Sequence, residues 1–250
     1  MLAALLELAP SGVEEVEGDG FVEYAVYGPP GELPSFPSGE ASVGGVVVSV
    51  SGAPVADDWA ERWRQFHHPI LIRGRVFVRP PWAEPRPGTL DLVVDPGQAF
   101  GTGAHATTRL SLELLLELEP AGSFVDLGCG SGVLAIAAAR LGFAPVIAVD
   151  NEAAALEATR ANAAANAVSL DRVERMDLRS GRPPSAETVA ANLMRPLLLK
   201  LAALMEERPR ALIASGLLDD EADEVVAAFA PMDERRRLSS QGWSALLLSP

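Results

Sequence analysis

Between Phe124 and Asp150 the chain carries the pattern that most restricts its fold. Phe124-Val125-Asp126-Leu127 reads as a buried strand, Gly128-Cys129-Gly130-Ser131-Gly132 as a loop and Val133-Leu134-Ala135-Ile136-Ala137 as the start of a helix. Glycine at every second position lets the backbone turn sharply and lie against a ligand, at the carboxyl end of a strand and the amino end of a helix. The next strand, Val146-Ile147-Ala148-Val149, ends in Asp150. A carboxylate placed there can accept hydrogen bonds from both hydroxyls of a ribose, because each oxygen offers two lone pairs. An adenosine-bearing ligand fits this pattern. A nicotinamide dinucleotide fits it poorly: that fingerprint needs its third glycine three residues after the second, where Val133 stands. Cys129 reads as a small space-filler in the loop, with no histidine nearby in sequence to activate a thiol.

Around this motif strands and helices alternate. Helices are expected near 106–118, 133–141, 153–166, 196–207 and 219–229, and strands near 90–94, 124–127, 146–150, 173–176, 188–192, 211–215, 235–239 and 244–249. Such alternation predicts right-handed crossovers and a mostly parallel sheet covered on both faces, with a closing hairpin that adds an antiparallel edge strand. The fold class is therefore α/β, Rossmann-like, preceded by a small α+β module. That module is expected over 1–54, with a helix at Leu2–Leu8 and strands near 12–16, 21–26 and 46–50, broken by the Pro-, Ser- and Gly-rich stretch 34–45. A linker over 55–88 follows. It holds a bridging helix with Trp59 and Trp63 on one face and a Pro-rich hinge from Pro80 to Pro87, and the large domain occupies 89–250.

Charge and composition narrow the function classes. The net charge of −14 repels a nucleic-acid backbone and attracts a basic protein, so direct nucleic-acid binding is not expected. One cysteine excludes an internal disulfide and any multi-cysteine zinc site, which fits a reducing cytosol. No apolar run reaches the roughly 18 to 20 residues that span a bilayer, and the first residues show no basic leader. A cytoplasmic, monomeric protein without metal or membrane partner is the expectation.

Ahead of the glycine loop stands Asp95-Pro96-Gly97-Gln98-Ala99-Phe100-Gly101-Thr102-Gly103-Ala104-His105-Ala106-Thr107-Thr108. This segment closely resembles the one that precedes the loop in PrmA-type methyltransferases, enzymes that modify the eleventh protein of the large ribosomal subunit. The resemblance continues through 126–137, Ala191-Asn192-Leu193 and Ser215-Gly216-Leu217-Leu218, and backwards to Pro81-Trp82 and Asp58-Trp59 with Trp63. It implies a class I methyltransferase fold with a seven-stranded sheet, S-adenosylmethionine as cofactor and a basic ribosomal protein as acceptor. It also implies Thr107, Gly128, Asp150 and Asn192 as cofactor contacts, with Phe100 and the glycines after it as a flap beside the cofactor. Read from the residues, Asp126 and Gly130 join this set. Thr107 at a helix start offers a hydroxyl and backbone N–H groups to a carboxylate, and Asn192 at a strand end can face the reacting centre as the catalytic residue. His105 reads equally as a flap contact or as an ordinary loop histidine. Two departures stand out. Asn151-Glu152-Ala153 follows Asp150 where the family has a further Asp and a Pro, and Met1 falls where the family's first helix begins, so the amino-terminal module, implied to recognise the acceptor, is expected to lack its first strand.

The implied reaction is methyl transfer to lysine side chains or an N-terminal amine. Amide and adenine methyltransferases often carry Asn-Pro-Pro-Tyr after the fourth strand, whereas this chain has Asn192-Leu193-Met194-Arg195. A methyltransferase acting on another protein, on RNA or on a small molecule would share the same cofactor half, and a binding module that kept the fold without the activity is a third class.

Overall fold

The computed structural model describes residues 14–18, 21–25, 39–43, 46–50, 68–95 and 105–250. The expected helices at Leu2–Leu8 and 57–64, and Phe100, lie outside these residues. The chain divides into two compact units, Met1–Trp63 and Arg64–Pro250.

In the first unit, β1 (Glu14–Gly18) and β2 (Phe21–Ala25) form an antiparallel hairpin, as do β3 (Gly39–Val43) and β4 (Val46–Val50). Strand β3 falls inside the Pro-, Ser- and Gly-rich stretch that reads as a break. The second unit opens with a small sheet of β5 (Ile70–Ile72), β6 (Val76–Arg79) and β7 (Leu90–Val93), in that order. Two of its strands therefore lie in the stretch that reads as a linker. The turn from β5 to β6 runs through Arg73 and Gly74, both at positive φ.

The remaining elements alternate. They are α1 (Ala106–Leu115), β8 (Phe124–Leu127), α2 (Val133–Leu141), β9 (Val146–Asp150), α3 (Ala153–Ala165), β10 (Arg172–Arg175), β11 (Thr188–Asn192), α4 (Arg195–Leu204), β12 (Ala211–Leu218), α5 (Ala222–Ala228), β13 (Asp233–Ser240) and β14 (Trp243–Ser249). The strands make one seven-stranded sheet in the order β10-β9-β8-β11-β12-β14-β13. Pairings from β10 to β12 are parallel, and β14 lies antiparallel between β12 and β13. From β8 the chain builds outward to β10, then returns to the other side of β8 with β11. The order thus reverses between β8 and β11, and a crevice opens there at the carboxyl ends of the strands. No helix among the described residues is long and apolar enough to cross a membrane.

Period-two alternation along the strands sends side chains to two faces. Phe124, Val146, Ala190 and Ile213 join one core with α1, α2 and residues of the small sheet such as Val78 and Leu92; Val125, Val149, Val189 and Leu212 join the other with α4 and α5. Asp126 shares the face of Phe124, so it points beneath α2. Phe229, fully buried just past α5, fills the second core at the end of the helix away from the crevice. Its truncation leaves a cavity that the surrounding sheet cannot close. Phe229→Ala is expected to cost about 3–5 kcal/mol in urea-denaturation experiments.

Candidate active site

Three strand ends and one helix start converge on the crevice. Strand β8 delivers the glycine loop, whose Gly128, Gly130 and Gly132 all have positive φ. A side chain at Gly128 would run into Leu193 of the next strand's exit, and one at Gly132 would come within 2.8 Å of the Thr159 methyl. The loop is tied to β9 by its own amides. Gly128 and Cys129 donate to the Val149 carbonyl at 2.9 and 3.0 Å, and the Gly130 amide donates to Asp150 Oδ2 at 2.9 Å. The other carboxylate oxygen of Asp150 accepts from the Glu152 amide at 3.0 Å. Oδ2 thus holds the glycine loop and Oδ1 the start of the turn into α3, and each oxygen retains a second lone pair.

Asp126 lies under the loop, 1% exposed. Its Oδ2 accepts from the Ala135 amide at 3.1 Å, while Oδ1 has no hydrogen-bond partner among the described residues. Burial lifts its carboxyl to about 7, the Ala135 N–H opposes the rise and the neighbouring Asp150 adds to it. Burial also pushes the Cys129 thiol up, and Thr159 Oγ1 stands 3.3 Å from its sulfur. Cys129 is filler under the loop, not a nucleophile.

The loop is held from behind by α3. Thr159 donates to the Gly130 carbonyl at 3.0 Å, and Asn162 Nδ2 donates to the Ser131 carbonyl at 2.9 Å. Asn162 Oδ1 accepts from the Asp95 amide, and Asn166 bonds both the amide and the carbonyl of Val93. The residues at positions 159, 162 and 166 lie on one helix face. That face joins the exit of β7, which leads toward 96–104, to the glycine loop. None of the three stands out as a ligand group, yet their spacing in an otherwise alanine-rich helix is visible in the sequence.

Helix α1 brings Thr107 and Thr108 to the other side of the crevice. His105 caps the helix: its Nδ1 accepts from the Thr107 amide at 3.4 Å and lies 2.8 Å from the Thr107 hydroxyl. An accepting Nδ1 leaves the proton of the neutral ring on Nε2. Burial, aided by the charge of Arg109, lowers the His105 pKa, which keeps the ring neutral near pH 7. The ring stands edge-on to Trp243 at 4.9 Å. The Thr107 hydroxyl, expected to face a ligand, is engaged by His105 in this structure, and the Thr107 carbonyl accepts from Ser111 and Ser215 at 2.8 and 3.2 Å. Asn192 ends β11 beside the loop strand and donates to Thr108 Oγ1 at 3.5 Å. Gly128 and Gly130 are thus tied to β9, Gly130 directly to Asp150, whereas Asp126 bonds α2 through the Ala135 amide and Asn192 bonds α1 through Thr108. Among the described residues, no group of three or more His, Cys, Asp or Glu is placed to hold a metal ion.

The family model for PrmA, ribosomal protein L11 methyltransferase, matches residues 47–249. The chain belongs to the PrmA family. It is 42% identical over 180 residues to a ribosomal protein L11 methyltransferase of Pectobacterium atrosepticum, covering 69% of this chain and 60% of that protein. With the relative from Heliobacterium modesticaldum it shares 40% over 203 residues, covering 76% and 63%. This family member thus spans less than two thirds of the length of these two curated relatives. A solved ribosomal protein L11 methylase from Lactobacillus delbrueckii subsp. bulgaricus superposes with a TM-score of 0.66 at 26% identity, covering 73% of this chain and 98% of that one. The tRNA (uracil-54, C5)-methyltransferase of Pyrococcus abyssi, solved with S-adenosyl-L-homocysteine, shares the fold at a TM-score of 0.53 and 19% identity, covering 67% of this chain and 45% of that one.

Two outcomes follow for the family member's site. Because Asp126 titrates near 3.8 when unfolded and about 7 when folded, its protonated form stabilises the fold fully below pH 4. That contribution is lost as pH rises through 7, at most roughly 4 kcal/mol. Asp126→Asn should flatten this part of the unfolding free energy measured from pH 4 to 8. Asn162→Ala leaves buried acceptors and donors unpaired and should cost about 2–3 kcal/mol in the same assay, with faster amide exchange at Gly130.

Proposed function

We propose that this chain transfers the methyl group of S-adenosylmethionine to amino groups of ribosomal protein L11. Asp150 carries the cofactor half of this reading. Its carboxylate is fixed by two backbone amides at the end of β9, one strand from the switch point of the sheet, with lone pairs left to accept from both hydroxyls of an adenosine ribose. The rest of the site fits the same ligand. Gly128 lets the loop pack directly against the Leu193 side chain, and the unpaired Oδ1 of Asp126 is a buried acceptor suited to a cationic group. Backbone of Gly128 and Gly130 would lie against the ligand, Thr107 at the start of α1 would hold its carboxylate once released from His105, and Phe100 would cover it.

When bound, S-adenosylmethionine supplies an electrophilic methyl carbon on a positively charged sulfur. The residues of the chain need only orient a nucleophile in line with that carbon and exclude water. A lysine amine with a free pKa of about 10.4 is protonated near pH 7, and keeping it neutral costs roughly 4 kcal/mol. Burial beside positive charge lowers that pKa. Asn192, on the strand next to the loop, orients the neutral amine through its amide oxygen together with backbone carbonyls, and no side-chain base is assigned. Residues 1–54 present the acceptor, a role supported by their forming part of a separate unit. The net charge of −14 suits a basic partner. A monomer acting in the cytosol completes the reading.

Incubation with labelled S-adenosylmethionine and total ribosomal proteins should place the label on L11, and label on RNA alone would overturn the acceptor. Asp150→Ala should weaken S-adenosylhomocysteine binding at least about tenfold by calorimetry. Asn192→Ala should lower turnover about a hundredfold with cofactor affinity changed only a few-fold, and full turnover would remove its assigned role.

A further inference from the structure

The carboxyl edge of the sheet beside Asn192 exposes two large apolar side chains, Met194 at 77% and Leu218 at 44%. Both are held on a fixed frame. The Leu193 amide donates to the Ser215 carbonyl at 2.9 Å, and Gly216, at φ 87°, lets the backbone of Leu193 approach in a way no other residue would allow. Arg195, next to Met194, bonds Glu221 at 3.1 Å and Glu224 at 2.6 Å, and the second oxygen of Glu221 takes the Leu218 amide at 2.9 Å. A chain of direct bonds therefore runs from the exit of β11 to the exit of β12.

The choice of residues at this edge is not explained by stability. Met194 is the N-cap of α4 and offers no capping hydrogen bond, where Ser or Asp would gain about 1 kcal/mol. The turn beside Leu218 is acidic: Asp219, Asp220, Glu221, Asp223 and Glu224 stand against two arginines, Arg195 and Arg237, each already paired with carboxylates. An apolar pair flanked by surplus negative charge suits a basic segment rich in lysine, whose alkyl stems lie on Met194 and Leu218 while their ammonium groups are drawn to Asp219 and Asp220. Methionine suits varied side chains at such a contact, being unbranched and polarizable.

We infer that Met194 and Leu218, backed by the acidic turn 219–224, form the surface on which a basic, lysine-bearing segment of the acceptor protein docks beside the methyl-transfer site. This rests on the reading of L11 as acceptor. The surface recruits charged neighbours of the target amine, and the amine itself passes on to Asn192.

The test compares the full chain with Met194→Ser, Leu218→Ser and Asp220→Lys, measuring transfer to intact L11 together with calorimetric binding of S-adenosylhomocysteine. Each serine variant is expected to raise the acceptor KM about tenfold, with kcat and cofactor affinity within twofold of the parent. Asp220→Lys should raise KM several-fold at low salt, an effect that shrinks at high salt. Unchanged KM values with an active parent would sink the docking surface alone. A parent that transfers no methyl group to L11 would sink the acceptor reading, and the surface with it. Variants that alter sedimentation instead of KM would assign the patch to contact between copies of this chain and overturn the proposal.

Discussion

The hydrogen bond from the Gly130 amide to Asp150 Oδ2 is the constraint on which the site depends. It joins the loop that leaves β8 to the end of β9, in a turn whose Gly130 sits at the positive φ that glycine adopts at low cost. The two amides on the Val149 carbonyl keep the loop from swinging away. In the proposed function Asp150 is at once a structural acceptor and a ligand group, so the geometry offered to a ribose would exist before any ligand arrives. Such preorganisation lowers the ordering cost of binding.

The same region buries more polar groups than a fold alone needs. Asp126 keeps one oxygen without a partner and is lifted to about 7, a cost that the free protein bears. A cation at Oδ1 would supply the missing interaction and pull that carboxyl back down. The buried amides of Asn162 and Asn166 spend their bonds on the exit of β7 and on the loop, so α3 is a rear brace for the site rather than a plain crossover helix. Movement at β7 and at the loop is thereby linked through one side chain.

Much of this was legible in the sequence where one signal dominates. Strands β8, β9 and β11 are short apolar runs bounded by turn residues, and their bounds match the expected ones. The alternation predicts a mostly parallel sheet, but the order reversal that opens the crevice is set by the pairing of β11 with β8. Signals that compete were read less well. Gly39–Val43 has the composition of a loop and becomes a strand only through its pairing with β4. Ile70–Ile72 and Val76–Arg79 were masked by a turn that uses Arg73 at positive φ in place of Asn or Asp. The expected helix at 219–229 splits into a short 3-10 turn, Asp219–Glu221, and α5, because Glu221 reaches back to the Leu218 amide. His105 as the cap of α1 could not be distinguished from a flap residue, since the choice rests on the Thr107 hydroxyl it meets in space.

Hydrogen exchange on the full chain with and without S-adenosylhomocysteine tests the ready-made cofactor site most directly. The amides of Gly128 to Gly132 and those around Asp150 should gain protection on saturation, while β13, at the edge of the sheet away from β9, stays unchanged. Saturable binding that leaves the loop and Asp150 unprotected, or that protects only another part of the fold, would contradict it.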